Sequence, residues 1–127
     1  YKGVLDKNAK SVFTGRIYVK QDAQQTDAKQ TNQNILLSEK AESTARPQLE
    51  IYADDVKCTH GATTGEIDDE ALLYLRSRAI PADSARTMLI YAFLNESLDD
   101  LAEDEFRTAL VDDLLSNLPG GDFIRNL

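Results

Sequence analysis

Two side chains in this sequence have the chemistry of ligands or nucleophiles and stand close together. They are Cys58 and His60, the only cysteine and the only histidine. They sit in VKCTHGATTG, followed by Gly61 and a run of small residues. If this stretch is a strand, Val56, Cys58 and His60 share one face, and Lys57 and Thr59 share the other. Side chains two apart in a strand lie roughly 7 Å apart along it. A thiolate and an imidazole so placed are two ligands, whereas a closed tetrahedral metal site takes four. The alternative is structural: Val56 marks an inward face, Cys58 packs as a small buried hydrophobe, and His60 is a hydrogen-bonded neighbour. A Cys–His nucleophilic dyad would need an orienting third group, and none is visible in the sequence.

The elements that must position this pair change character around it. Before Cys58 the sequence reads as strands. Phe13, Gly15, Ile17 and Val19 alternate with Thr14, Arg16 and Tyr18 in SVFTGRIYVK, the pattern of a half-buried strand. YKGVLD, NILLS and ARPQLEIYA also read as strands, with Leu49, Ile51 and Ala53 alternating against Glu50 and Tyr52. The chain opens on strand-like residues, as a piece cut from something longer would. Residues 21–34, QDAQQTDAKQTNQN, are polar. They fit either a loop or a strand whose Gln and Asn side chains stack in amide ladders.

After the pair the period becomes helical. Asp68, Asp69 and Glu70 complement the start of a helix, and Arg76 and Arg78 its end, with Ala71, Leu72 and Leu75 as the apolar side. Pro81 fits the first turn of a second helix, in which Ala85, Met88, Leu89, Ala92 and Phe93 form a stripe. A third helix is expected from about Leu98 to Leu118, with Phe106, Ala109, Leu110, Leu114 and Leu118 on one side, and Pro119-Gly120-Gly121 ends it. The expected division is 1–66 for the strands and 67–127 for the helices.

Composition narrows the function classes. The chain has 127 residues and a formal charge of −8, enough for one domain or one with a small appendage. Residues 1–64 hold nine basic and eight acidic side chains; the remaining residues hold five basic and fourteen acidic, a balance of −9. An acidic second half argues against nucleic-acid binding. One cysteine excludes an internal disulfide. No signal-like or bilayer-spanning run occurs, which reads as a soluble cytoplasmic protein. Neither GxxxxGK[ST], GxGxxG, CxxC nor HExxH occurs, so no enzyme activity is expected of the chain alone.

Three blocks carry a resemblance: TDAKQTNQNILLSEKA at 26–41, RPQLEIYADDVKCTHGATTG at 46–65, and DDEALLYLRSRAIP at 68–81. In this order they closely resemble the C-terminal part of the SufB/SufD family of iron–sulfur cluster assembly proteins, over about residues 11–95. Residues 96–127 resemble the family's acidic helical tail more loosely. KCTHGATTG looks like the SufD branch; the SufB branch typically reads EHEATT there. The resemblance implies the last rungs of a right-handed parallel β-helix capped by a helical subdomain, with 21–34 as a rung. It implies a non-catalytic scaffold subunit whose β-helix end pairs with a SufB-like subunit and whose helices hold a SufC-like ATPase. His60 falls on the histidine implicated in cluster formation at that subunit interface, with Cys58 beside it. The nascent iron–sulfur cluster would be cargo of the whole complex, and flavin binding would belong to regions outside this sequence. An interaction module of the same fold with another partner is the alternative.

Three expectations follow. Without a SufB-like partner the chain pairs with a second copy through residues 48–66. Alone it holds no metal tightly. The ATPase docks on the helices, with Tyr91, Phe93 or Phe106 as apolar anchors inside a rim of Glu103, Asp104 and Asp112.

Overall fold

The computed structural model describes residues 1–102 and 104–126. Among these described residues five strands come first: β1 (Lys2–Leu5), β2 (Lys10–Val19), β3 (Asp27–Leu36), β4 (Glu42–Ile51) and β5 (Lys57–Gly65). Four α-helices follow: α1 (Asp69–Arg76), α2 (Ala82–Asn95), α3 (Glu105–Asn117) and α4 (Gly121–Arg125), with a short 3₁₀ turn at Glu96–Leu98. The chain divides into two compact units, the boundary falling between Glu66 and Ile67. Among the described residues no helix is long and apolar enough to cross a membrane.

In the strand unit, successive strands alternate between two sheets. One has the order β1-β3-β5 and the other the order β2-β4. β2 pairs with β4, and β3 with β5, in parallel. Asp27 pairs with Lys57 in the first sheet and Lys10 with Glu42 in the second, so the chain returns to the same sheet after 30 and 32 residues. β1 follows the same rule: Gln33 N–H donates to Tyr1 O and Leu37 N–H to Leu5 O, at 3.0 and 2.8 Å. The polar stretch 21–34, left open between loop and ladder by its composition, is therefore mostly strand β3.

The faces of β2 follow its alternation. Phe13, Gly15 and Ile17 are half-buried, Val19 is buried, and Thr14, Arg16 and Tyr18 face outward. In register, Phe13 lies beside Ala45 and Gly15 beside Pro47, pairing a larger residue with a smaller one, while Ile17 lies beside Leu49, two large aliphatic residues together. Pro47 is tolerated because each strand of a two-stranded sheet has a free edge that needs no ladder hydrogen bond. On the outer face, Arg16 donates to Glu50 at 2.5 Å and the rings of Tyr18 and Tyr52 stand 5.6 Å apart. Ile51 departs from its expected face: at the end of β4 it is exposed, while Leu49 is half-buried and Ala53 buried.

The interior of this unit is unusually polar. Asn32 and Asn34 are buried, and Asn34 Nδ2 donates to Asn32 Oδ1 at 2.8 Å. Gln30 continues the same face of β3. Two glycines make room for these amides. A Cβ at Gly3 would crowd Asn34 Oδ1, and one at Gly15 would occupy the space of the Gln30 amide.

The helical unit begins where the acidic run predicts. Asp68 caps α1, its carboxylate accepting from Glu70 N at 2.9 Å and Ala71 N at 3.4 Å. Ala71, Leu72 and Leu75 are half-buried as their spacing predicts, while Leu73 and Tyr74 are exposed. In α2 the buried residues are Ala85, Thr87 and Ile90, with Met88, Leu89 and Phe93 half-buried and Ala92 exposed.

The third helix is shorter than its apolar spacing suggested. It starts at Glu105 rather than Leu98, because Asp104 is extended (φ −133°, ψ −176°) and caps the helix by accepting from Arg107 N at 3.0 Å. Its inward side is Leu110, Val111, Leu114, Leu115 and Leu118, and Phe106 and Ala109 lie exposed. Pro119-Gly120-Gly121 ends it as expected, but α4 then follows. Gly120 takes φ +77°, and a Cβ on Gly121 would collide with Leu115 O. Thr87 Oγ1 lies 2.9 Å from Pro119 O and 3.0 Å from Asp83 O, so its proton is shared between α2 and this turn.

Candidate functional site at the open end of the strand stack

β5 pairs with β3 along its whole length, Ala28 with Cys58, Gln30 with His60, Asn32 with Ala62 and Asn34 with Thr64. In-register parallel neighbours point to the same side. The face of β3 that is buried therefore continues onto β5 as Cys58, His60, Ala62 and Thr64. There its environment changes. The sheet containing β5 has three strands and the sheet opposite has two, so among the described residues no strand of the second sheet pairs beyond β4 to cover β5. Cys58 is half-buried, and every residue of β5 from Thr59 onward is exposed.

The two readings of the pair meet different fates. Cys58 is a free thiol tucked partly beside Ala28. His60 is exposed on the end strand and is not a core histidine. Among the described residues no group of three or more His, Cys, Asp and Glu side chains gathers to hold a metal ion. The two ligand types that this end offers would need donors from elsewhere to complete a shell. A polar hollow lined by Gln25, Thr26, Asp27, Asp55, Val56 and Lys57 lies at the start of β3 and β5. Asp27, Asp55 and Lys57 are all solvent-facing there.

The glycines of β5 are informative. A Cβ at Gly61 or Gly65 would meet no atom of the described residues within 4 Å. The chain's own packing gives no reason for glycine at either place. Glycine in a strand often marks the approach of another backbone. Among the described residues the second edge of β5 is also unpaired in its sheet, leaving a row of backbone donors and acceptors available.

The helical residues proposed as a docking rim are dispersed in role. Phe106 is 64% exposed and projects as an apolar side chain. Tyr91 and Phe93 are half-buried, and the Tyr91 hydroxyl lies 3.4 Å from Asn95 Oδ1. Asp104 serves as the cap of α3. Asp112 lies 3.8 Å from the Arg125 guanidinium, and its carbonyl accepts from the same arginine at 3.0 Å. Glu103 lies outside the described residues. The helical period did not single out Leu73 and Tyr74, which are 67% and 57% exposed on α1. Their signal was their position off the Ala71-Leu72-Leu75 stripe. Arg78 lies over the Tyr74 ring at 3.5 Å.

Comparison with known proteins places this architecture. The model of the SufBD core domain of the SUF system for FeS cluster assembly matches residues 1–93. The chain belongs to that family. It is 46% identical over 121 residues to the iron–sulfur cluster assembly protein SufD of Escherichia coli, covering 95% of this chain and 29% of that protein. It is 45% identical to a SufBD family protein of Synechocystis over 80% of this chain and 22% of the relative. With SufD of Bacillus subtilis the identity is 37%, over 86% of this chain and 25% of the relative. The chain thus spans less than a third of the length of these relatives.

Proposed function

We propose that this chain is the C-terminal portion of a non-catalytic scaffold subunit, of the SufD kind, in a cytoplasmic iron–sulfur cluster assembly complex. Membership of the SufBD core family carries the reading, together with the exposed position of His60 on the end strand. The fold we infer is the end of a right-handed parallel β-helix. Two parallel sheets visited in alternation support it, as does the strong preference of parallel crossovers for the right hand.

In this reading β5 is the face that meets a SufB-like subunit. Its free edge supplies main-chain pairing, and Gly61 and Gly65 admit a second backbone. His60 then lies inside the interface, where ligands from the partner complete what this chain offers. Cys58 stands beside it as a secondary donor. Imidazole and thiolate both suit iron, so the nascent cluster is handled there as cargo and released. The helical unit is the docking platform for a SufC-like ATPase, with Phe106 the most exposed of the three aromatic anchors Tyr91, Phe93 and Phe106. The acidic rim steers encounter and makes binding sensitive to salt.

The test is made in the full-length protein co-expressed with its partners. His60→Ala is expected to leave the complex intact by co-purification while lowering the yield of assembled cluster at least about tenfold, the scale of losing an oriented ligand contact. Unchanged cluster yield would overturn the role given to His60. Failure to recover an ABC-type ATPase and a SufB-like protein from native extract would overturn the scaffold reading as a whole.

A further inference from the structure

The row of amides on β3 ends in a group without a partner. Gln30 is buried at both its amide atoms, and among the described residues neither Oε1 nor Nε2 has a hydrogen-bond partner. Its neighbours on the same face, Asn32 and Asn34, are joined to each other, leaving Asn32 Nδ2 and Asn34 Oδ1 over. A buried amide left unsatisfied is costly, and native interiors rarely keep one. The chain has moreover made room for this side chain by placing Gly15 opposite it, since any Cβ there would displace the Gln30 amide. A glutamine held at such cost at this point calls for a partner.

The register supplies one. Gln30 pairs with His60, on the neighbouring strand and the same face. Adjacent strands lie about 4.8 Å apart; no hydrogen bond joins the two side chains as they stand, and a turn of the exposed His60 side chain about its own bonds brings the ring to the amide. The amide oxygen has two lone pairs. One suits Asn32 Nδ2, the free donor two residues along. The other suits a ring N–H.

We propose that Gln30 is a positioning residue for His60: its buried amide oxygen accepts the N–H of the inward ring nitrogen. The tautomer is thereby set, and the lone pair of the other nitrogen faces the open end. A histidine that acts as a ligand through one nitrogen commonly has the other tied to a carbonyl or carboxylate in this way. The inference rests on the reading of His60 as the functional group of this end. It adds the residue that orients it and the reason Gly15 has no side chain.

The test uses the tautomer itself, and the single histidine makes the spectrum unambiguous. The imidazole nitrogens of the chain, labelled with ¹⁵N, are observed at a pH where the ring is neutral. The wild type is expected to favour one tautomer about fivefold or more beyond free imidazole, the scale of one net hydrogen bond. Gln30→Leu should return the ratio to that of free imidazole. Gln30→Glu, which keeps an acceptor, should retain the bias. Gly15→Ala should abolish it by displacing the amide while leaving both Gln30 and His60 chemically intact, so the conclusion does not depend on Gln30→Leu folding. A wild-type ratio equal to free imidazole overturns the proposal, as does a bias that survives both Gln30→Leu and Gly15→Ala. The readout needs no cluster. A tautomer bias with normal cluster yield in His60→Ala would uphold the positioning and reject the role of His60, and the converse result would do the reverse.

Discussion

At the scale of single residues, the strand unit is defined by polar side chains in places where apolar ones are usual. Asn34 donates to Asn32 in the interior. Removing one member of a buried pair costs the desolvation of the group left behind. Asn34→Ala should therefore destabilise the strand unit by about 1–3 kcal/mol, read as a lower midpoint of urea unfolding with the slope unchanged. A shift indistinguishable from zero would mean that water already serves Asn32. In the helical unit the corresponding residue is Gly121, packed against the Leu115 carbonyl. Gly121→Ala should cost at least about 1–3 kcal/mol, as overpacking does, whereas Gly61→Ala, with open space around it, should change the stability of the isolated chain little. Thermal unfolding of the two variants side by side checks the contrast.

At the scale of elements, β5 and α3 are informative. β5 has a free edge, two glycines without an internal reason and an exposed face continuous with the buried face of β3. Such an edge pairs with whatever strand reaches it. In the absence of a partner subunit we expect concentration-dependent dimerisation through residues 48–66, seen by sedimentation. Ala62→Lys with Thr64→Lys should shift it back to monomer, since charge on an edge strand opposes pairing. A dimer unmoved by these charges would place the contact elsewhere. For α3, the boundary was set by a cap rather than by apolar spacing. Asp104→Ala should lower stability by about 1 kcal/mol through loss of that cap. It should also slow capture of the ATPase modestly at low salt, because the bond from Arg107 N leaves the carboxylate's charge in place to steer encounter.

At the scale of the whole chain, charge and fold divide together. The strand half is nearly neutral and the helical half carries the net −9. On the scaffold role proposed above, a full-length protein truncated after Glu66 should keep its pairing with a SufB-like subunit and lose the ATPase, measured by pull-down of each partner. Capture of the ATPase at normal affinity by the truncated protein would remove the docking role from the helices. For the intact protein, raising salt should weaken ATPase capture by slowing association more than by speeding release, as expected of rim charges.

Much of this was legible in the sequence because it depends on neighbours within a few residues. The alternation in SVFTGRIYVK, the acidic cap at Asp68, the Pro81 start and the Pro-Gly-Gly stop are local signals with local causes. The order of the blocks around KCTHGATTG was enough to indicate the family. Sequence spacing could not decide whether residues 21–34 were loop or strand, because a polar strand becomes stable only when the strands 30 or so residues away stack against it. Nor could it settle the standing of His60. Alternation put Val56, Cys58 and His60 on one face, but whether that face was buried depended on how many strands each sheet held. With three strands in one sheet and two in the other, the same face that buries Asn32 and Asn34 leaves His60 open. The partnership of Gln30 with that face, thirty residues earlier in the chain, exists only in the register of two parallel strands.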